Sequence, residues 1–174
     1  IDLPKEMVNQ VAKHDLFKCF CGNNVDFDYA FRIEHGLDLP KEMVNQAAKE
    51  GMIYWISKGN INATIEIMKK FDLPKEMVNQ AAKEGLIKAI SPQGEADIDK
   101  ILKIINKFSL SDDIVNQVAK EGLMSNLANG SVRDVIMTKD GLNLSTEIVQ
   151  SQEVQQAAKQ RFIDDLSRGS FDFG

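Results

Sequence analysis

The chain has 174 residues, a net charge of −5, a pI near 5.1 and two cysteines. Its composition, 43% apolar and 27% charged, is that of an ordinary globular protein, and no stretch approaches the roughly 20 apolar residues that span a bilayer. The acidic balance argues against attraction to nucleic acid or anionic lipid, and two cysteines do not make a disulfide framework. We therefore expect no membrane span and a cytoplasmic, reducing location.

The string Asp-Leu-Pro-Lys-Glu-Met-Val-Asn-Gln occurs three times, and two diverged copies follow, the last after about five extra residues. The shared valine stands at Val8, Val44, Val78, Val115 and Val154, with spacings of 36, 34, 37 and 39 residues. Such periods are typical of solenoids, in which each unit buries its apolar face against its neighbours. We predict one all-α domain over residues 1–174, an α-solenoid of about five helical-hairpin repeats of 34 to 39 residues. Because no methionine precedes the first copy, we expect a fragment of a longer chain.

Each unit is predicted to begin with a residue that caps the N-terminus of its first helix, followed by Leu and then Pro or Ser. These five residues are Asp2, Asp38, Asp72, Ser109 and Asn143. In the third unit, helical spacing predicts a first apolar stripe of Val78, Ala81, Ala82, Leu86, Ala89 and Ile90. That helix is predicted to end near residues 91–94.

The second helix of the third unit is predicted to start at Asp97. Its apolar stripe consists of Ile98, Ile101, Leu102, Ile105 and Phe108. The second unit repeats the pattern after a Lys58-Gly59-Asn60 turn, with Ile61, Ile65, Met68 and Phe71. Short connections imply that the two helices of a unit are antiparallel.

A glycine recurs at one position of the first helix, as Gly51, Gly85 and Gly122. Such a glycine either ends the helix in a left-handed conformation or lies on the buried stripe and lets a neighbouring helix approach closely. We favour close packing, because the glycine falls on the helical stripe. The first and last copies carry Asp15 and Arg161 instead, which fits the terminal repeats of a stack.

The run from Lys58 to Met68, followed by Leu73-Pro74-Lys75-Glu76, resembles helical-hairpin repeats of the tetratricopeptide and pentatricopeptide type. In those families a Gly-containing turn joins two helices and a proline opens the next unit. The resemblance implies an architecture of stacked hairpins. It transfers no functional residue to this chain.

Candidate chemical sites are sparse. His14, Cys19, Cys21 and His35 are the only histidines and cysteines, but a Cys-x-Cys spacing is not that of a zinc site. Cys19 also falls on the packing stripe, which favours a buried thiol. No phosphate-binding glycine loop, nucleophile elbow or His-Glu-x-x-His helix occurs. We predict no metal, no cofactor and no enzymatic activity.

Lysines recur in register at Lys13, Lys49, Lys83, Lys120 and Lys159. Such a row is a candidate partner-binding or RNA-binding stripe, but the neighbouring Glu50, Glu84 and Glu121 favour a solvated charged face. The recurrent Asn-Gln pairs, such as Asn45-Gln46, are interpreted as hydrogen-bonding between repeats.

One departure from the repeat suggests a binding site. Tyr54 stands where other units have Lys, Ser or Asp, and Trp55 beside it is the only tryptophan. Aromatic residues of this kind anchor protein interfaces. We predict Trp55 to pack in the core and to support Tyr54, which lies at the surface as the centre of a partner-binding site. The predicted site consists of Tyr54, Trp55, Lys49, Lys83 and Lys120.

Stacked hairpins offer extended faces, so we predict a protein-binding scaffold or adaptor. The near-identical units suggest recent duplication. We expect a bacterial protein that acts inside a host cell, and the host cytosol is then the alternative location. Two alternative functions are an RNA-binding helical-repeat protein and the targeting module of a larger enzyme. Salt-sensitive RNA binding would mark the first, and the full-length reading frame would reveal the second.

Overall fold

The structure, a computed structural model, describes residues 4–22, 24–90, 98–129 and 132–168, and every regular element in these ranges is an α-helix. The all-α class is therefore confirmed. The chain divides into two compact units, Ile1–Gly85 and Leu86–Gly174, with the boundary inside a helix. Each unit is described by itself.

The described helices follow one another in the order predicted for successive hairpins. They are α1 (Lys5–Cys21), α2 (Phe27–Leu37), α3 (Lys41–Ser57), α4 (Ile61–Lys70), α5 (Lys75–Ile90), α6 (Ile98–Phe108), α7 (Asp112–Asn129), α8 (Val132–Gly141), α9 (Thr146–Val149) and α10 (Gln152–Arg168). In the first unit α1 contacts α2, and α3 contacts both α1 and α4. In the second unit α7 contacts α8 and α10. The helices that contain the repeat string, such as α3 and α5, are thus longer than the helices between them, such as α4.

The predicted N-caps are wrong for all four copies that the structure describes. Asp38, Asp72, Ser109 and Asn143 adopt left-handed backbone conformations, with φ of 47 to 48°. Asp38 ends α2: its N–H and that of Leu39 both donate to the carbonyl oxygen of Glu34. This is the pattern of a left-handed helix stop, in which the Leu that follows is buried and a proline prevents the helix from continuing. Asp2 lies outside the described residues.

True side-chain caps occur at the second helices instead. The Asp26 carboxylate accepts from the Tyr29 N–H at the start of α2, and the Asn60 side chain accepts from the Ala63 N–H at the start of α4. Gly59, in the predicted turn before α4, has a φ of 71°. A left-handed residue there favours glycine, so the position of this turn is confirmed.

The predicted apolar stripe of α5 agrees with the core, whereas the stripes predicted for α4 and α6 agree only in part. Val78, Ala81, Ala82, Leu86 and Ile90 are buried. On α4, Ile61, Ile65 and Met68 are half-buried, and the fully buried Ile67 was not predicted. Leu102 is exposed, and Ile104, which the predicted stripe omitted, is fully buried. The predicted stripe of α6 does contain the buried Ile101, but Ile and Leu lie on both sides of the buried line there, so the spacing alone does not separate Leu102 from Ile104. The predicted helix end at 91–94 and the cap at Asp97 lie outside the described residues.

The extra residues of the last copy break its first helix into two. α9 is a single turn capped by Ser145, and its successor α10 begins at Gln152. Val154, the repeat valine, is buried at the start of α10. The insertion therefore keeps the repeat valine in the core while it divides the helix.

Candidate functional site

The recurrent glycines lie inside helices, at points where another helix comes into direct contact. A Cβ atom added to Gly85 would lie 2.6 Å from both Cβ and Cγ2 of Ile56, closer than real Cβ contacts permit. Added Cβ atoms at Gly51 and Gly122 would likewise collide with Phe20 and Ile90. The close-packing interpretation of these glycines is therefore confirmed, and the alternative of a helix stop is wrong.

Phe20, Ile56 and Ile90 occupy one repeat position, twelve residues after the repeat valine. We call them knob residues, because each packs over the glycine of the next first helix. All three are almost completely buried. The pairing of knob and glycine occurs within each of the two units, and it brings the helix axes close at a defined register.

Three lysines of the row form ion pairs with a glutamate on a long helix of the next repeat. Lys13 Nζ lies 3.5 Å from Glu50, and Lys49 Nζ lies 3.0 Å from Glu84. Lys49 is only 7% exposed, so the predicted solvated charged face is wrong at this residue. A buried ammonium needs its partner, and Glu84 supplies it.

In the second unit Lys120 Nζ lies 2.7 Å from Glu153. The pKa of Glu153 falls below its ordinary value because Lys120 donates a hydrogen bond to the carboxylate. Lys83 is half-buried in α5. The role of Lys49, Lys83 and Lys120 in binding a partner stays a prediction, and two of these lysines already contact a carboxylate of the chain itself.

Two glutamines of the Asn-Gln pairs donate hydrogen bonds along their own helix and not to another repeat. Gln46 donates to Glu50, and Gln117 donates to Glu121, each to a carboxylate four residues later on the same helix. The predicted inter-repeat role is wrong for these two side chains. Polar contact between repeats is made by lysines of the row, through their ion pairs, instead.

Trp55 is a core residue, as predicted. It is 8% exposed, and its Nε1–H donates to the carbonyl oxygen of Phe20 at 2.5 Å. This bond ties α3 to the last turn of α1. The indole is thus held at both its ring and its polar end, which restricts its rotamer.

Tyr54 is half-buried, and its ring meets that of Trp55 edge to face, with 5.1 Å between centroids. Edge-to-face contact with a fixed indole restrains the phenol ring while part of it stays accessible to solvent. Little side-chain entropy is then left to lose on binding. Tyr54 is therefore a pre-ordered surface aromatic residue.

The histidines and cysteines show no metal-binding arrangement in the described ranges: no three His, Cys, Asp or Glu side chains there are grouped to hold a metal ion. Cys19 is buried. Burial, followed by the negative charges of Asp26 and Asp15, raises the pKa of its thiol. A protonated, buried thiol is a packing residue rather than a nucleophile.

One apolar surface was not predicted from the sequence. Phe162, Ile163 and Leu166 of α10 are each more than half exposed. With Lys159 they form the α10 face, and Gln155, Ala158, Lys159, Phe162 and Ile163 line a surface groove of about 440 Å³. No signal in the sequence marked this surface, because the residues aligned with Phe162 in earlier copies are apolar as well and are buried.

Comparison with models of known protein families finds no match for this chain, and comparisons with curated proteins and with solved structures find none either. In the described part of the chain, no helix is both long and apolar enough to cross a membrane.

Proposed function

We propose that this chain is a helical-repeat scaffold or adaptor that binds another protein or a peptide, with Tyr54 at the centre of the contact. The observation that supports this is the restrained, partly exposed phenol ring packed on Trp55. Large aromatic residues fixed before binding are the usual anchors of protein interfaces. The proposal includes no catalytic step and no cofactor.

The architecture that we propose for this scaffold is one α-solenoid of about five hairpins, similar to tetratricopeptide-type repeats. Support comes from the recurrence of one contact, a knob residue packed over a glycine, within each unit. A repeated contact of this kind fixes the spacing between successive first helices, and so fixes the positions of side chains that a partner would meet.

The test is a binding measurement with a partner isolated by pull-down and then purified. Tyr54→Ala should weaken binding at least about thirtyfold, which corresponds to about 2 kcal/mol. Because the ring is half-buried at the edge of α3, the melting temperature should change little. Titration calorimetry gives the affinity, and circular dichroism gives the melting temperature.

Tyr29→Ala is the matched control, because Tyr29 is also a partly exposed tyrosine but lies on α2. It should leave the affinity within about twofold of wild type, as expected for a residue outside the contact. Equal affinities of the wild type and Tyr54→Ala, with equal melting temperatures, would refute the assignment of Tyr54.

A further inference from the structure

Helices α3 and α5 begin with the same sequence. Residues 38–51 and 72–85 are identical, and this stretch holds both the glycine that receives a knob residue and the glutamate that pairs with a lysine. By residue type, Phe20 of α1 fits Gly85 as well as it fits Gly51. The repeated contacts therefore do not determine which of the two helices stacks on α1.

Chain connectivity favours α3 only weakly. The loop closed when α3 stacks on α1 is about half as long as the loop closed when α5 does so, because Val8, Val44 and Val78 are spaced by 36 and 34 residues. Doubling the length of a loop changes the equilibrium constant for its closure by only about threefold. Near-identical repeats are therefore prone to pairing in the wrong combination while the chain folds.

One repeat position distinguishes all the copies. Between the repeat valine and the knob residue, only the position eleven residues after the valine differs in all five copies. We call it the variable position, and its residues are Cys19, Trp55, Ala89, Asn126 and Asp165. At this position α3 has the largest side chain and α5 one of the smallest. The variable position can therefore discriminate between two helices that are otherwise similar.

Trp55 contacts the end of α1 at this position. Phe20 lies in the last turn of α1, where carbonyl oxygens have no partner within the helix. The indole Nε1–H of Trp55 donates to the carbonyl oxygen of Phe20, and the ring is buried. Ala89 has neither the donor nor the volume of an indole. Stacking of α5 on α1 would therefore lose this hydrogen bond and leave a cavity in place of the ring.

The second unit uses other groups at the same place. Asp165, the variable residue of α10, pairs with Arg161, which donates to the carbonyl oxygen of Ala128 in the last turn of α7. Asn126, the variable residue of α7, donates to Thr138 of α8. The variable residues of the two units thus make hydrogen bonds of different kinds, each suited to one pair of helices.

We propose that Trp55 is a pairing-specificity residue, whose contact with the end of α1 selects α3 instead of α5 as the helix that stacks on α1 during folding. The competing helix is α5 of the same chain or of a second copy. This inference concerns assembly of the repeats and does not depend on Tyr54 or on the binding of a partner.

The experiment identifies the helix on α1 by cross-linking the full chain during refolding from urea. In a chain with Cys19→Ala and Cys21→Ser, Gln10→Cys is combined with Gln46→Cys to detect α3 on α1, or with Gln80→Cys to detect α5 on α1. These three glutamines share one repeat position. Helices in contact lie about 8–10 Å apart, so a short bismaleimide joins the thiols of stacked helices. Gel electrophoresis measures the products within one chain and between two copies.

The wild-type residue at position 55 should give almost no α1–α5 product. Trp55→Ala should give α1–α5 and α1–α3 products in a ratio that approaches about one to three, the preference that connectivity leaves. Ala89→Trp, which gives α5 the same indole, should raise the α1–α5 product in the same way. Leu16→Ala is the matched control: it removes a fully buried side chain of α1, weakens stacking of both helices alike and should not raise this product.

Two results would overturn the proposal. One is a Trp55→Ala chain that forms no more α1–α5 product than Leu16→Ala does, which would make Trp55 a core residue without a role in pairing. The other is an unchanged product ratio for Ala89→Trp. Because the products are trapped before the native state forms, a variant that does not complete folding still gives a result.

Discussion

The helices α3 and α10 are built on the same repeat pattern, yet they present opposite surfaces. Ile56 and Lys49 of α3 are buried under Gly85 and Glu84 of α5. The aligned Leu166 and Lys159 of α10 are exposed. Since the residue types at these positions are similar, their burial depends on the helix packed against them, which for Ile56 and Lys49 is α5.

The two helices also differ at the glycine position itself. α3 carries Gly51, which admits Phe20, whereas α10 carries Arg161, which pairs with Asp165 and donates to the carbonyl oxygen of Ala128. A large side chain is tolerated there because it can turn along the helix toward polar partners. The repeat therefore interlocks through small residues where knobs meet glycines, and through polar contacts where the glycine is lost.

The largest expected effect comes from giving α5 the residue that α10 carries. Gly85→Arg should destabilise the chain by about 4 kcal/mol or more, because a Cβ alone already collides with Ile56 and the guanidinium would be buried without a partner. Urea unfolding followed by circular dichroism measures the change in the free energy of unfolding.

Gly36→Ala is the control for this prediction. Gly36 lies within α2, and a Cβ added there has no neighbour within 4 Å. That change should be neutral or stabilising by up to about 1 kcal/mol, because alanine favours the helix. A loss below about 1 kcal/mol for Gly85→Arg would mean that the helices do not pack at this glycine.

The knob position gives the second comparison. Ile56→Ala should cost about 2 to 5 kcal/mol, because it opens a cavity over Gly85. Leu166→Ala, at the same repeat position, should cost less than about 0.5 kcal/mol in the isolated chain. Thermal and urea unfolding of the two variants should be measured in parallel; equal losses would show that both positions are covered alike.

The all-α class, the order of the helices and the packing role of the glycines were predictable from the sequence. All three depend on a regularity, the spacing of apolar and small residues along successive copies. Trp55 was also assigned correctly, because its aligned positions lie on the packing stripe. Periodicity identifies which side of a helix is buried, and this chain repeats its periodicity several times.

What the sequence did not reveal depends on neighbours distant along the chain. The Asp of the repeat string was predicted to be an N-cap because Asp is common at that position. Asp also tolerates the left-handed conformation, and Asp38 adopts it where α2 ends. Lys49 was predicted to lie on a solvated face. Burial of its ammonium group requires a carboxylate partner, and that partner, Glu84, is 35 residues away in the sequence. The exposure of Phe162 and Leu166 on α10 was not predictable either, because apolar residues also occupy these repeat positions where they are buried, as at Met52 and Ile56.

The smallest effect separates a buried lysine from an exposed one in the same row. Glu84→Ala should destabilise by about 1 to 3 kcal/mol, because it leaves the ammonium of Lys49, at 7% exposure, without its partner. Glu50→Ala removes the partner of Lys13, whose side chain is 49% exposed, and should cost no more than about 0.5 kcal/mol. Both changes replace a helical glutamate by alanine next to a packing glycine, so differences in helix propensity cancel.

The double variant Lys49→Met with Glu84→Ala should recover most of the loss, since a buried apolar side chain needs no partner. If Glu84→Ala and Glu50→Ala cost the same, the depth of Lys49 has no energetic consequence, and the lysine row is a uniform surface feature.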